Sequence, residues 1–176
     1  MLFNVKNYKT KHGLSKKLHQ LPQRSLLYEV KGPMGKGLQV RSTGVHIAFA
    51  AGTGVLCFVD LVGHLIQANL GLIESPYMVD LDRFKFIFYI SFASEADKIA
   101  VELLEAFEQY CLRNGKLNFD LYVRLKAEGK NERHWDRDFI VDEMQKYNMA
   151  EIQRIWVCGP PKMNETFDRV LSTLEV

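Results

Sequence analysis

From Thr43 onward the chain alternates between short unbroken apolar runs and longer stretches in which apolar residues return every three or four positions. Val45–Ala50 (VHIAFA) predicts a buried strand, stopped by the small residues Ala51-Gly52-Thr53-Gly54. Val55–Leu70 predicts a helix that ends near Gly71, with Leu56, Cys57, Phe58, Leu61, Val62 and Leu65 as its core face. Phe84–Ser91 (FKFIFYIS) has the aromatic and branched residues that favour strands. Glu95–Arg113 predicts a helix with Ile99, Leu103, Phe107, Tyr110 and Cys111 on one stripe, and Asn114-Gly115 as its stop. Phe119–Leu125 alternates as a third strand, Asp138–Tyr147 forms a short helix, and Ile152–Cys158 (IQRIWVC) forms a fourth strand. Pro160–Leu174 closes the series as a helix, with Met163, Phe167, Val170, Leu171 and Leu174 facing one way.

Strands separated by helices imply right-handed βαβ units, hence an α/β fold: a Rossmann-like parallel sheet of four to five strands flanked by helices. Such sheets hold ligands outside the carboxyl ends of their strands, where the strand order reverses. The loops after Ala50 and Cys158 are therefore the places to seek chemistry. The first 42 residues differ in texture. Leu2–Tyr8 and Leu26–Val30 read as strands, Ser15–Leu21 as a short helix, and Lys31–Gly37 as a glycine loop, which together look like the edge of something larger. The expected organisation is a small N-terminal β segment at 1–42 and a nucleotide-binding domain at 43–176.

Composition changes this picture little. Charged residues make up 25 % and the net charge is +2, too small to argue for nucleic acid or an anionic membrane. No acidic residue precedes Glu29, while Lys6, Lys9, Lys11, Lys16, Lys17 and Arg24 do, a bias seen in mitochondrial presequences, but the segment is poor in Ser and Arg. The longest apolar stretch, Val45–Ile73, carries Asp60 and His64 and several glycines, so no transmembrane segment is expected. Cys57, Cys111 and Cys158 are odd in number, widely spaced and without a CxxC, which argues against a zinc site or disulfide scaffold and for an intracellular, reducing compartment. Asp60 and His64 lie one helical turn apart with no third ligand, so they read as a polar stripe, and no metal is expected. His46 within its apolar strand reads as a hydrogen-bonded structural histidine, and Lys126–Arg137 as a solvated charged loop.

Each of the two loops carries a candidate chemistry. Glycines at 52 and 54 let backbone approach a pyrophosphate closely, the helix start offers unpaired N–H groups and a positive dipole end, and the Thr53 hydroxyl adds a donor. The same residues also make an ordinary tight turn. After the fourth strand, Gly159 permits an unusual turn, and Pro160 or Pro161 fits a first helical turn, where no N–H is needed. Cys158 either faces the cleft or is a small buried residue that ends a core strand. Together the two loops are more specific than either alone.

Gly52-Thr53-Gly54 after the first strand and Cys158-Gly159-Pro160-Pro161-Lys162-Met163 after the fourth resemble the NAD(P) domain of ferredoxin–NADP reductase relatives, above all the cytochrome b5 reductase-like flavoproteins. Phe92-Ala93-Ser94, Trp135-Asp136 with Val141-Asp142-Glu143-Met144, and Tyr28–Gly35 resemble further stretches of that family, the last its final flavin-barrel strand. The resemblance implies electron transfer: NAD(P)H gives hydride to FAD, and electrons pass on to a one-electron acceptor. It implies that Gly52, Thr53 and Gly54 hold the pyrophosphate, that Cys158 lies beside the nicotinamide without acting as a covalent nucleophile, and that Gly159, Pro160, Pro161 and Met163 shape its pocket. The loop after the second strand has no cation until Lys98, whereas Asp97 offers an acceptor for a ribose hydroxyl, so NADH is expected over NADPH; Glu95 and Asp97 equally suit an ordinary helix start.

The pattern departs from the family at both ends. The Arg-x-Tyr-Ser/Thr strand that grips the flavin does not occur, and the chain stops after its last helix, without the family's final strand and aromatic. His12-Gly13-Leu14-Ser15 resembles a worn phosphate turn in which Ser15 would meet FAD; alternatively Ser15 caps the short helix that follows. The expectation is NAD(H) binding here, FAD shared with another chain, and a flavin-domain or redox-complex partner, with the charged Lys126–Arg137 loop a candidate for an acidic electron-transfer partner. The alternative is a non-catalytic, nucleotide-binding or structural subunit of a larger redox complex, for which a mitochondrial respiratory assembly is one setting.

Overall fold

The computed structural model describes residues 13–20, 37–75, 78–126 and 135–174. The strands expected at Leu2–Tyr8 and Leu26–Val30, the glycine loop up to Lys36 and the centre of the charged loop at 127–134 lie outside the described residues. The chain forms two compact units, Met1–Gln39 and Val40–Val176. In the first, α1 spans Leu14–Gln20. The Lys17 amide bonds to the Gly13 carbonyl at 3.3 Å, so Gly13 opens this helix and Ser15 stands inside it. Ser15 is therefore not its cap.

The second unit is a four-stranded, wholly parallel sheet: β1 (Gly44–Ala51), β2 (Phe84–Phe92), β3 (Phe119–Leu125) and β4 (Ile152–Cys158), in the order β3-β2-β1-β4. The middle strands read as near-continuous apolar runs because both their faces are covered. Ile47, Ala48, Phe49 and Ala50 of β1, and Phe86, Ile87, Phe88 and Ile90 of β2, are all fully buried. Strand β4 lies at the edge, and every residue of it is only half-buried.

Alternate positions of the strands address two helical layers. On one face Val45, Ile47, Phe49, Ile87 and Tyr89 pack with Ile140 and Met144 of α4 (Arg137–Gln145) and Phe167 and Val170 of α5 (Pro161–Leu171). On the other, Phe88 meets Phe58 of α2 (Leu56–Asn69) with ring centroids 5.1 Å apart, and Trp156 lies 6.1 Å from the same ring. Helix α3 (Val101–Asn114) packs beside α2 on this side. The α4 side also buries a polar pair: the Tyr89 hydroxyl donates to Glu143, whose other oxygen takes Lys146 at 2.6 Å. Burial and this carboxylate both push the Tyr89 phenol up, so it stays protonated.

The third helix departs from expectation. Instead of running from Glu95, the chain makes a separate 3₁₀ turn at Glu95–Asp97, and α3 starts only at Val101. Local bonds close that turn: the Ser94 hydroxyl donates to Asp97 at 2.7 Å, and Lys98 pairs with Glu95 at 2.6 Å. Lys98 is then extended and Ala100 left-handed (φ 59°), which resets the helix phase. The buried face becomes Val101, Leu104 and Cys111, leaving Leu103 and Tyr110 exposed. In α2 the core face is Phe58, Val62, Leu65 and Ile66, and Cys57, expected on it, is exposed.

His46 is the structural histidine its setting suggested. Its ring is wholly buried, lies 4.8 Å from Phe84, accepts the Arg41 amide at Nε2 (3.1 Å) and faces the Gly44 carbonyl through Nδ1 (3.2 Å). With Nε2 accepting, the proton sits on Nδ1 and the ring is neutral. Burial is the main reason its pKa falls to about 4, with Arg154 adding to the effect against the Gly44 carbonyl. The unfolded chain therefore binds a proton first as pH drops. The stability from the neutral ring is complete above pH about 6.5 and is lost as pH falls toward about 4, at most about 3 kcal/mol. In imidazole NMR one of the five histidines should titrate near pH 4. Five titrations near the ordinary value would contradict this buried, neutral state.

Candidate functional site

Strand β1 has β2 on one side and β4 on the other, so the chain leaves β1 toward one flank of the sheet and returns at β4 on the opposite flank. In parallel sheets ligands are held where such connections part, outside the carboxyl ends of the strands, here those of β1 and β4. Ala50 and Cys158 are direct partners across this seam. Both glycine loops singled out in the sequence thus emerge side by side.

Directly after β1, Gly52–Val55 forms a 3₁₀ turn that runs into α2 with no side-chain cap on its first N–H groups. Gly52 is left-handed (φ 57°), and among the described residues nothing lies within 4 Å of the point where a Cβ would stand, so the backbone faces open space. Gly54 has the opposite role. A Cβ there would be driven into the Cys158 carbonyl oxygen, at 2.8 Å from the carbonyl carbon and 3.0 Å from Sγ. Absence of a side chain at 54 is what lets the two loops touch. Thr53, between the two glycines in the chain, is half-buried.

In the second loop Pro160 is the N-cap residue of α5 and Pro161 its first residue, and the Met163 amide bonds back to the Pro160 carbonyl at 2.9 Å. Both rings sit where no helical N–H is required. Met163 folds over Gly159: a Cβ on that glycine would meet its sulfur at 2.5 Å and Ala51 Cβ at 3.2 Å. Cys158 is half-buried, and burial followed by the neighbouring Cys57 pushes its thiol up to about 11. At neutral pH it is a thiol, not a thiolate.

Asp97 lies in the 3₁₀ turn beyond β2, exposed and accepting the Ser94 hydroxyl. It belongs to the same end of the sheet as the two loops, whereas Ser15 belongs to the first unit. His64 bonds to Ser75 at 2.7 Å, and Asp60 is exposed. Among the described residues no group of three or more His, Cys, Asp or Glu is placed to hold a metal ion, and no helix is long and apolar enough to cross a membrane.

Sequence reasoning missed two features of this end of the sheet. Cys57, read as core, lies with its sulfur 3.8 Å from that of Cys158, a closeness hidden by 101 residues of separation. Arg124 of β3 stands in register with Ser91, which brings a guanidinium-bearing residue beside the end of β2, a cation that the loop after β2 lacks before Lys98. Pairing register would have been needed to find it.

No family model matches the chain. Among curated proteins it is similar to "Uncharacterized oxidoreductase AIM33" of Saccharomyces cerevisiae, 28 % identical over 173 residues, which is 92 % of this chain and 47 % of that protein. The chain thus spans about half the length of the curated relative it matches. Among solved structures it is similar to the cytochrome b5 reductase domain of Ulva prolifera nitrate reductase, with a TM-score of 0.60 and 17 % identity over 94 % of this chain and 62 % of the other. The CS-b5R domains of human Ncb5or, solved in an NAD+ form, give a TM-score of 0.60 and 18 % identity over 94 % of this chain and 44 % of theirs. Plasmodium falciparum ferredoxin–NADP+ reductase, in complex with 2'P-AMP, gives 0.51 and 15 % over 75 % of this chain and 49 % of its own. The parallel sheet and its two flanking helical layers therefore have the α/β fold of cytochrome b5 reductase and ferredoxin–NADP+ reductase domains.

Proposed function

We propose that this chain binds NADH and serves as the nucleotide-binding part of an FAD-dependent oxidoreductase. The observation that carries the reading is the meeting of Gly52-Thr53-Gly54 with Cys158-Gly159-Pro160 at the reversal point of a parallel sheet, with Gly54 seated on the Cys158 backbone. The open, uncapped backbone at Gly52 fits a pyrophosphate, which would take the N–H groups of the turn and the positive end of α2. Similarity in fold to reductase domains, one of them in an NAD+ form, supports the assignment.

NADH, when bound, supplies a hydride to the flavin. The chain's own residues bind and orient it. Thr53 offers a hydroxyl to a phosphate oxygen. Pro160 and Pro161 stiffen the wall beside Cys158, and Met163 seals Gly159 from the helix side. Cys158, neutral at its raised pKa, sets the depth of the nicotinamide pocket and makes no covalent bond to the nicotinamide. Asp97 offers its carboxylate to a ribose hydroxyl, and the nearest lysine, Lys98, is already paired with Glu95, which favours NADH over its 2′-phosphorylated form. Arg124 is the residue that would reverse this preference. A flavin domain, on the same polypeptide or on a partner chain, would take the hydride and pass electrons on to a one-electron acceptor.

Separate calorimetric titrations of the chain with NADH, NADPH and FAD test the reading. NADH should bind, and Gly52→Val should weaken it about tenfold or more, because a branched side chain strains the left-handed backbone and fills the open space. Tighter binding of NADPH would point to Arg124, and tight binding of FAD alone would point to a self-sufficient reductase. Binding of none would leave a structural subunit on the same fold.

A further inference from the structure

Cys57 is the second residue of α2 and Cys158 the last of β4, and their sulfur atoms lie 3.8 Å apart, in contact. We infer that Cys57 and Cys158 form a reversible dithiol–disulfide site at the joint between the two loops, and that it takes oxidised low-molecular-weight thiols as its oxidant. Nothing in this inference requires nucleotide binding, so it stands or fails separately from the proposed function.

Three features of the pair make it suitable. The gap to a disulfide bond of about 2.05 Å is under 2 Å, and both sulfurs sit at the ends of rotatable Cα–Cβ bonds, where a χ1 adjustment closes such a distance. Gly54 has no side chain to stand in the way, for its Cβ position is only 3.0 Å from the Cys158 sulfur. The two thiols also differ in access: Cys57 is exposed, Cys158 half-buried, and the third cysteine, Cys111, is buried in α3.

That difference sets the order of events. The Cys57 thiolate attacks one sulfur of a disulfide such as oxidised glutathione, forming a mixed disulfide and releasing one small thiolate, which takes up the proton Cys57 gave up. Cys158 then loses its proton and attacks the Cys57 sulfur, expelling the second small thiol. The two protein thiols lose two electrons, and one small disulfide is reduced to two thiols. The second step is the slower one, because burial pushes the Cys158 thiol up and keeps it mostly protonated. The closed bond would clamp the end of β4 to the start of α2.

The full chain, equilibrated across glutathione and dithiothreitol redox buffers, acid-quenched and alkylated, tests this by intact mass and peptide mapping. The expected oxidised form is about two mass units lighter, with the two hydrogens of its thiols removed, links the peptides holding Cys57 and Cys158, and leaves Cys111 alkylated only after unfolding. Cys57→Ser should abolish it, and Cys111→Ser should leave it intact. A second measurement does not depend on redox potential: phenylarsine oxide, a trivalent arsenical that bridges neighbouring thiols, should bind the reduced chain one to one and be lost in Cys57→Ser. A chain that gives only mixed disulfides at every redox poise and does not retain the arsenical would overturn the inference.

Discussion

Replacing Gly54 by alanine is expected to abolish NADH binding and to destabilise the second unit by about 1–3 kcal/mol. The cause is steric and sits in the backbone. The new methyl would overlap the carbonyl oxygen of Cys158 and lie 2.8 Å from its carbonyl carbon. No rotamer relieves this, since both the methyl and the group it strikes are fixed to main chain. The loop after β1 or the end of β4 must move, and the site between them goes with it. Urea unfolding checks the steric point, with Gly52→Ala as the control for stability, and an NADH titration of Gly54→Ala checks the binding. At Gly52 there is open space, so an added methyl meets no neighbour and costs only the left-handed backbone, about 1 kcal/mol. If Gly54→Ala loses no more stability than Gly52→Ala, the loops do not touch as described.

The second large effect lies one turn of logic below the site. Phe49 is completely buried in β1, and its ring is the hub of an aromatic cluster: centroids lie 4.6 Å from Phe167 in α5, 4.9 Å from Tyr89 in β2, 5.7 Å from Trp135 and 6.4 Å from Phe139 in α4. Phe49→Ala removes a ring that packs against both α4 and α5, and should cost about 3–5 kcal/mol. Such a loss lowers Tm by about 10 °C or more in a unit of this size. Because α5 begins at Pro161, its loosening should also weaken NADH binding in protein that remains folded. A loss below about 1 kcal/mol would mean that the neighbours collapse into the space and that the cluster is not tightly packed.

Both effects depend on contacts between residues far apart in the chain, and this marks how far the sequence could be read. The strands were legible almost to the residue, for Phe119–Leu125 and Ile152–Cys158 are observed with the limits expected. Their runs of branched and aromatic residues are bounded by glycine, proline and polar turns, a local signal. The start of α3 was illegible for an equally local reason. Glu95–Lys98 has the composition of a helix opening, but the Ser94–Asp97 and Glu95–Lys98 bonds close it as an independent turn, and the left-handed Ala100 then shifts the helical phase. One shifted phase was enough to exchange Leu103 for Leu104 on the buried face.

The site divides along the same line. That two glycine loops each follow a strand and open a helix was written in the sequence, because φ preference and the missing N–H of proline act within a few residues. Their meeting was decided only by the sheet: placing β4 beside β1, not beside β3, brings Cys158 to Ala50 and hence to Gly54. The same packing set Cys57 against Cys158 and Arg124 beside Ser91. Periodicity assigns a residue to a strand or a helix, but strand order and register are long-range choices, made by how the two apolar faces of the sheet are covered. The local chemistry of this chain is therefore in its sequence, and the pairing of that chemistry into a site belongs to its tertiary structure.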